Sequence, residues 1–120
     1  MSYTIGNMED EAPKQRGWFV GTFIDEPSAA RTDVVEIKYT EFPVGPTDHP
    51  MKTSAIFECS IFLAGRAKAI IDGQEHILEA GQFVAIQPNT PNNLVVEILK
   101  PVTVLTIKAP SDPSAKKIIA

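Results

Sequence analysis

The chain has one cysteine and two histidines, and each shortage removes a class of protein. A single cysteine, Cys59, excludes an intrachain disulfide framework and any Cys-x-x-Cys motif, and it fits a reducing compartment. With only His49 and His76 available, an imidazole-rich metal centre is not built, and no His-Glu-x-x-His run occurs. There is no glycine-rich phosphate loop and no serine nucleophile elbow. No apolar run approaches the ~18 residues of a membrane-spanning helix. The opening residues are acidic and polar, without the basic segment and apolar core of a secretory signal, so a cytoplasmic location is expected. Basic residues number 11 against 15 acidic ones and are scattered apart from Lys116-Lys117. Without a clustered positive surface, nucleic acid is not an expected partner.

What is present is enough for one core: 120 residues, 43% hydrophobic and 22% charged, with ordinary globular usage. Residues 1–16 are polar and show no sustained period, which predicts a flexible arm. From Trp18 the apolar residues come in short β-rich runs, at 18–24, 33–42, 53–63, 68–71, 76–78, 83–86, 94–99 and 102–107. Breakers separate them, and no helical period persists, so residues 17–110 read as an all-β sandwich or barrel. Asp72-Gly73 predicts a tight hairpin between the strands on either side. Pro43 to Pro46 ends the second run, and Pro101 either divides the last apolar stretch or marks a bulge. Residues 111–120 read as a departing tail.

Within this pattern, Gly45, Glu58 and Gly65, followed by Gly81 and Pro88-Asn89-Thr90-Pro91-Asn92, keep a particular spacing. In that spacing the chain resembles the cupin superfamily, small single-domain barrels of the jelly-roll or double-stranded β-helix type. The resemblance implies two motifs, each normally carrying metal-binding histidine. Here the first motif places Lys52 and Ser54, or with longer spacing Met51 and Thr53, where its two histidines would stand. The second has Gln87, Asn89 and Asn92 in place of its first proline, its glycine and its histidine. Lys52, Ser54 and Glu58 share strand parity, which favours the shorter alignment. Together with Asn92 they would line the barrel mouth.

These four residues are therefore the candidate ligand-binding set, with no metal ligand and no catalytic residue assigned. A Lys52–Glu58 ion pair is expected to occupy the place of the metal, offsetting part of the cost of burying either charge. A metal weakly held at Glu58 is the alternative, and His49 is read as a surface-loop residue that could instead fold over the mouth. Alternation sets Cys59 on the face opposite Glu58, where it reads as a small core hydrophobe. Trp18, Phe62 and Phe83 read as barrel filling or interface.

The expected function is the binding of a small polar ligand, sugar-like or carboxylate-like, without a cofactor. The alternative is a cupin enzyme: a metal-dependent oxygenase or isomerase with altered ligands, or a metal-independent catalyst of the sugar-epimerase kind. The resemblance also implies a homodimer paired through an outer sheet face.

Overall fold

The computed structural model describes residues 2–119, and among them β-structure dominates. The strands in chain order are β1 (Trp18–Val20), β2 (Glu36–Phe42), β3 (Gly45–Pro46), β4 (Lys52–Ser54), β5 (Phe57–Ile71), β6 (Gln74–Glu79), β7 (Phe83–Ile86), β8 (Asn92–Ala109) and β9 (Lys116–Ile118). Neighbouring strands pair antiparallel, and the sheet curls into a jelly-roll barrel. Among the described residues no helix is long and apolar enough to cross a membrane.

Two long strands organise everything else. β5 and β8 pair along most of their length. The other edge of β8 carries β2 over its C-terminal half and β3 and β4 over its N-terminal half. The other edge of β5 carries β7 first and β6 second. Each long strand thus serves two sheets, β1-β2-β8-β5-β7 on one side and β9-β4-β8-β5-β6 on the other. The core lies between them: Phe62, Val102 and Val104 from the first pack with Ala67, Ala69, Leu78, Leu94 and Ile98 from the second.

The fold-over has a local cause. The β5–β8 register steps from Ala64↔Thr103 to Arg66↔Lys100, an irregularity centred on Gly65 opposite Pro101. Gly65 has φ +89°, and a Cβ there would lie 2.1 Å from the Pro101 carbonyl oxygen. Only glycine combines that backbone angle with so close an approach. Of the two readings of Pro101, the bulge holds: the 94–99 and 102–107 runs are one strand.

The Asp72-Gly73 hairpin forms as the sequence predicts. Ile71 pairs with Gln74, and the two turn residues have φ 49° and 79°, the positive angles that match strand twist. Other boundaries differ. Residues 53–63 divide between β4 and β5, because Ala55-Ile56 turn out of the ladder. The segment read as an arm carries a helical turn, Met8–Glu11, whose Asn7 side chain accepts from the Glu9 N–H at 3.0 Å, and a 3-10 turn, Ala12–Gln15. It joins the sheet where the Tyr39 N–H donates to the Gly17 carbonyl at 2.9 Å. The segment read as a departing tail returns as β9 and pairs with β4, Lys52↔Ile118 through Ser54↔Lys116. Neither contact has a periodicity signal, since each element is three or four residues long.

We expect Gly65→Ala to lower the free energy of unfolding by about 2–5 kcal/mol, combining backbone strain with overpacking. Urea unfolding measures it; a loss under about 1 kcal/mol would mean the close approach relaxes freely.

Candidate functional site

Three adjacent strands set the chemistry of the barrel mouth. In β2, in residues 102–108 of β8 and in residues 58–62 of β5 the even-numbered residues point inward, and the registers align them in rows: Glu36–Lys108–Glu58, then Lys38–Thr106–Ser60, then Thr40–Val104–Phe62. Each row is more apolar than the one before it, so the pocket is charged at one end and closed by core at the other. Lys52 from β4, Lys116 from β9, His49 and Pro50 from the loop before β4, and Trp18 from β1 complete the wall. The cavity holds about 240 Å³.

Of the four residues singled out by sequence, Lys52 and Glu58 line this cavity, whereas Asn92 and Ser54 do not. The Lys52 ammonium donates to Glu58 Oε1 at 3.2 Å, to Glu58 Oε2 at 3.3 Å and to Asn92 Oδ1 at 3.2 Å. Asn92, fully buried, is oriented by its own Nδ2 donating to the Thr90 carbonyl at 3.0 Å. Lys52 and Asn92 are cross-strand partners in β4 and β8, which is why they meet. Ser54 lies apart from this knot. Its Oγ accepts from the Ile56 N–H at 3.4 Å and its carbonyl accepts from the Asn89 N–H at 2.7 Å, so it shapes the chain and leaves the pocket alone. Asn89 itself has φ 66°, a left-handed angle that asparagine tolerates where the family motif has glycine.

The donor set does not fit a cupin-type metal. Glu58 is the one carboxylate at the motif positions, and an ammonium group covers both its oxygens. Among the described residues no three His, Cys, Asp or Glu side chains gather as a cation would require. His49 is exposed in its loop, as the surface-loop reading has it, and it also lines the pocket. Its ring packs edge-on against Phe42, 5.1 Å between centroids, and its carbonyl accepts from Asn93 Nδ2 at 2.8 Å. Burial, reinforced by the Lys38, Lys116 and Lys52 charges, pushes its pKa down and favours the neutral imidazole.

Sequence reasoning passed over Glu36, Lys38, Lys108 and Lys116. Lys108 is buried and Lys38 half-buried, and their ammonium groups lie 5.7 Å and 5.5 Å from the centre of the Trp18 ring, where the π face attracts cations. Burial pushes the pKa of Lys38 down, and Lys116, Lys108 and Lys52 push the same way. For Lys108 burial also dominates and lowers the pKa, while Glu58 and Glu36 oppose it. Glu36 is raised by burial, with Ser111 Oγ donating to its Oε2 at 3.2 Å and Lys108 pulling it back. The missed signal was alternation: Glu36-x-Lys38-x-Thr40 and Thr106-x-Lys108 are polar at every second position on strands whose intervening residues are apolar.

The intervening residues face outward. Cys59 is half-buried on the outer surface and not in the core, and Phe83, read as barrel filling, is 70% exposed there. Phe62 is the true filler, 1% exposed. His76 is exposed.

A larger cavity of about 460 Å³ lies outside the barrel, between the 4–15 segment and residues 19–30. Its charged side chains stand on a cleft rim, where Lys14 already pairs with Glu11 at 2.5 Å. The smaller cavity is the candidate site because charged groups from five strands converge inside it.

The Cupin domain family matches residues 38–108, more than half the chain. No curated protein matches. Similar solved structures include a cupin protein from Bacteroides fragilis, 24% identical over 68% of this chain and 69% of that one, with a TM-score of 0.55. An RmlC-like cupin family protein with a double-stranded β-helix fold from Methanocaldococcus jannaschii is 21% identical over 67% and 73%, TM-score 0.58. The DMSP lyase DddQ from Ruegeria pomeroyi is 19% identical over 72% of this chain but only 44% of its own, TM-score 0.61. At these identities the likeness is one of fold, which carries many activities.

Removing Lys52 leaves the Glu58 carboxylate, 3% exposed, without its closest cation. We expect Lys52→Met to cost about 2–3 kcal/mol in urea unfolding and the double variant Lys52→Met/Glu58→Leu to recover at least half of that. Equal losses would show that the two charges are not coupled.

Proposed function

This chain belongs to the cupin family, and we propose that its pocket binds a small organic anion, of carboxylate or acidic-sugar type, without a metal centre. One observation carries this reading. Lys38, Lys108 and Lys116 converge on one cavity, and among the described residues none of them has a carboxylate oxygen within ion-pair distance. Burying Lys38 and Lys108 without an ion-pair partner costs folding free energy, and an anion would supply the missing countercharge. Ser60, Thr40 and Thr106 add hydroxyls that donate or accept, which suits a ligand bearing oxygen. A cavity of 240 Å³ has the room of about eight waters, so the ligand is metabolite-sized. Lys52 takes no part in this, being spent on Glu58 and Asn92.

A metal-dependent oxygenase or isomerase is the weaker reading, since Glu58 is engaged by Lys52. We place the protein in the cytoplasm on the single cysteine alone.

For a protein partner we propose a second copy of this chain on the outer face of the first sheet. There Ile37, Tyr39, Ile61, Leu105 and Ile107 form half-buried apolar rows across β2, β8 and β5, with Leu63 49% and Phe83 70% exposed beside them. The patch is apolar and open at the edge of β7, which suits an isologous contact. Light scattering on the eluting protein is expected to give twice the 13.1 kDa chain mass, and Phe83→Glu is expected to give the single mass. A native chain that elutes as a monomer would remove this partner.

The sole tryptophan lines the pocket, so its fluorescence reports occupancy. We expect lactate, oxalate or inorganic phosphate to quench Trp18 saturably, with Lys116→Met weakening the anion about 5- to 20-fold and added salt weakening it further. Affinity should fall as pH rises: an anion favours protonated lysine, and Lys38 and Lys108 shed their protons below the ordinary 10.5. Quenching that is unsaturable, or indifferent to both salt and Lys116, would refute anion binding in this pocket.

A further inference from the structure

We infer that Lys38 is an amine nucleophile that forms a Schiff base with the carbonyl of a small 2-oxo acid held in the barrel. The inference rests on the anion-binding reading above and deepens it.

The argument is one of elimination among the amines in the cavity. Lys52 is fixed by three acceptors on Glu58 and Asn92. Burial lowers the pKa of Lys108 too, but Lys108 sits in the row between Glu36 and Glu58, whose charges oppose that shift, whereas no carboxylate opposes it at Lys38. Lys116, on β9, is exposed to water. Lys38 stands one row deeper than Lys108, opposite Thr106, with the Trp18 ring across from it. The charged groups facing it are Lys108 on β8, Lys52 on β4 and Lys116 on β9, with neutral His49 in the loop and Glu36 two residues away on its own strand. Burial and three ammonium neighbours disfavour a fourth charge, so Lys38 gives up its proton and bares its lone pair more readily than an exposed lysine.

The surrounding groups suit each part of the reaction. Lys108 and Lys116 hold the substrate carboxylate, which leaves the adjacent carbonyl within the cavity. The Lys38 Nζ lone pair adds to the carbonyl carbon, the C=O π pair moves to oxygen, and a proton passes from nitrogen to that oxygen, giving a carbinolamine. Glu36, whose carboxyl is biased by burial toward holding a proton, gives it to the departing hydroxyl, which leaves as water while nitrogen forms the C=N bond. The iminium proton then returns to Glu36. No oxidant or reductant enters, and the proton count closes.

The test is reductive trapping. Protein is incubated with pyruvate and cyanoborohydride, and the carboxyethylated lysine is located by peptide mass spectrometry, with lactate as a carbonyl-free competitor. We expect one predominant adduct, on Lys38, suppressed at least fivefold by saturating lactate. Lys38→Arg should abolish it, and a urea unfolding transition close to that of the native protein shows that the variant folds. Should that variant not fold, lactate protection of Lys38 in the native protein decides. An adduct on Lys108, labelling spread over surface lysines regardless of lactate, or no adduct although lactate quenches Trp18 would overturn the nucleophile and leave anion binding standing. Absence of both adduct and quenching would overturn the two together.

Discussion

Antiparallel register between β2, β8 and β5 is the constraint from which the rest of the site follows. Side chains alternate across a strand, so once Lys108 is paired with both Glu36 and Glu58, every second residue on the three strands, as far as the Gly65–Pro101 irregularity, is committed to the same face. Slipping one strand by a single residue would send Lys38 or Glu58 outward and bring Ile37 or Cys59 in. The charged row cannot be assembled piecemeal.

The usual expectation for a half-buried sheet is apolar inside and polar outside. At the mouth of this barrel the first sheet does the reverse: its apolar alternates, among them Tyr39, Ile61 and Leu105, look outward, and its polar alternates look in. Toward the fold-over the order reverts, and Phe62, Val102 and Val104 meet the second sheet. The two arrangements coexist on the same strands because Val104 and Phe62 are in phase with Thr106 and Ser60. One period carries both the core and the cavity.

That phase relation explains what could be read from the chain and what could not. Glycines and turn residues act locally, so the Asp72-Gly73 hairpin and the barrel class are written in short segments. The Lys52–Glu58 pair was legible as well, because a family spacing put both residues at motif positions. Ser54 and Asn92 show the limit of that spacing: both stand where it puts them, yet one leaves the cavity altogether and the other supports it from behind. Lys108 and Lys38 are ordinary strand lysines by composition, and only the pairing of β8 with two partners makes them neighbours. Lys116 was lost with the tail, since a three-residue strand has no pattern until β4 is there to receive it.

The sharing of β5 and β8 between both sheets has a consequence for how the protein comes apart. In a sandwich built from separate strands, one layer can fray while the other persists, and a partly open species accumulates. Here the hinge at Gly65 and Pro101 runs through the middle of both long strands, so loosening either layer removes the hydrogen-bonding edge on which the other depends. The barrel is therefore expected to melt as one cooperative unit, with no half-built intermediate at equilibrium.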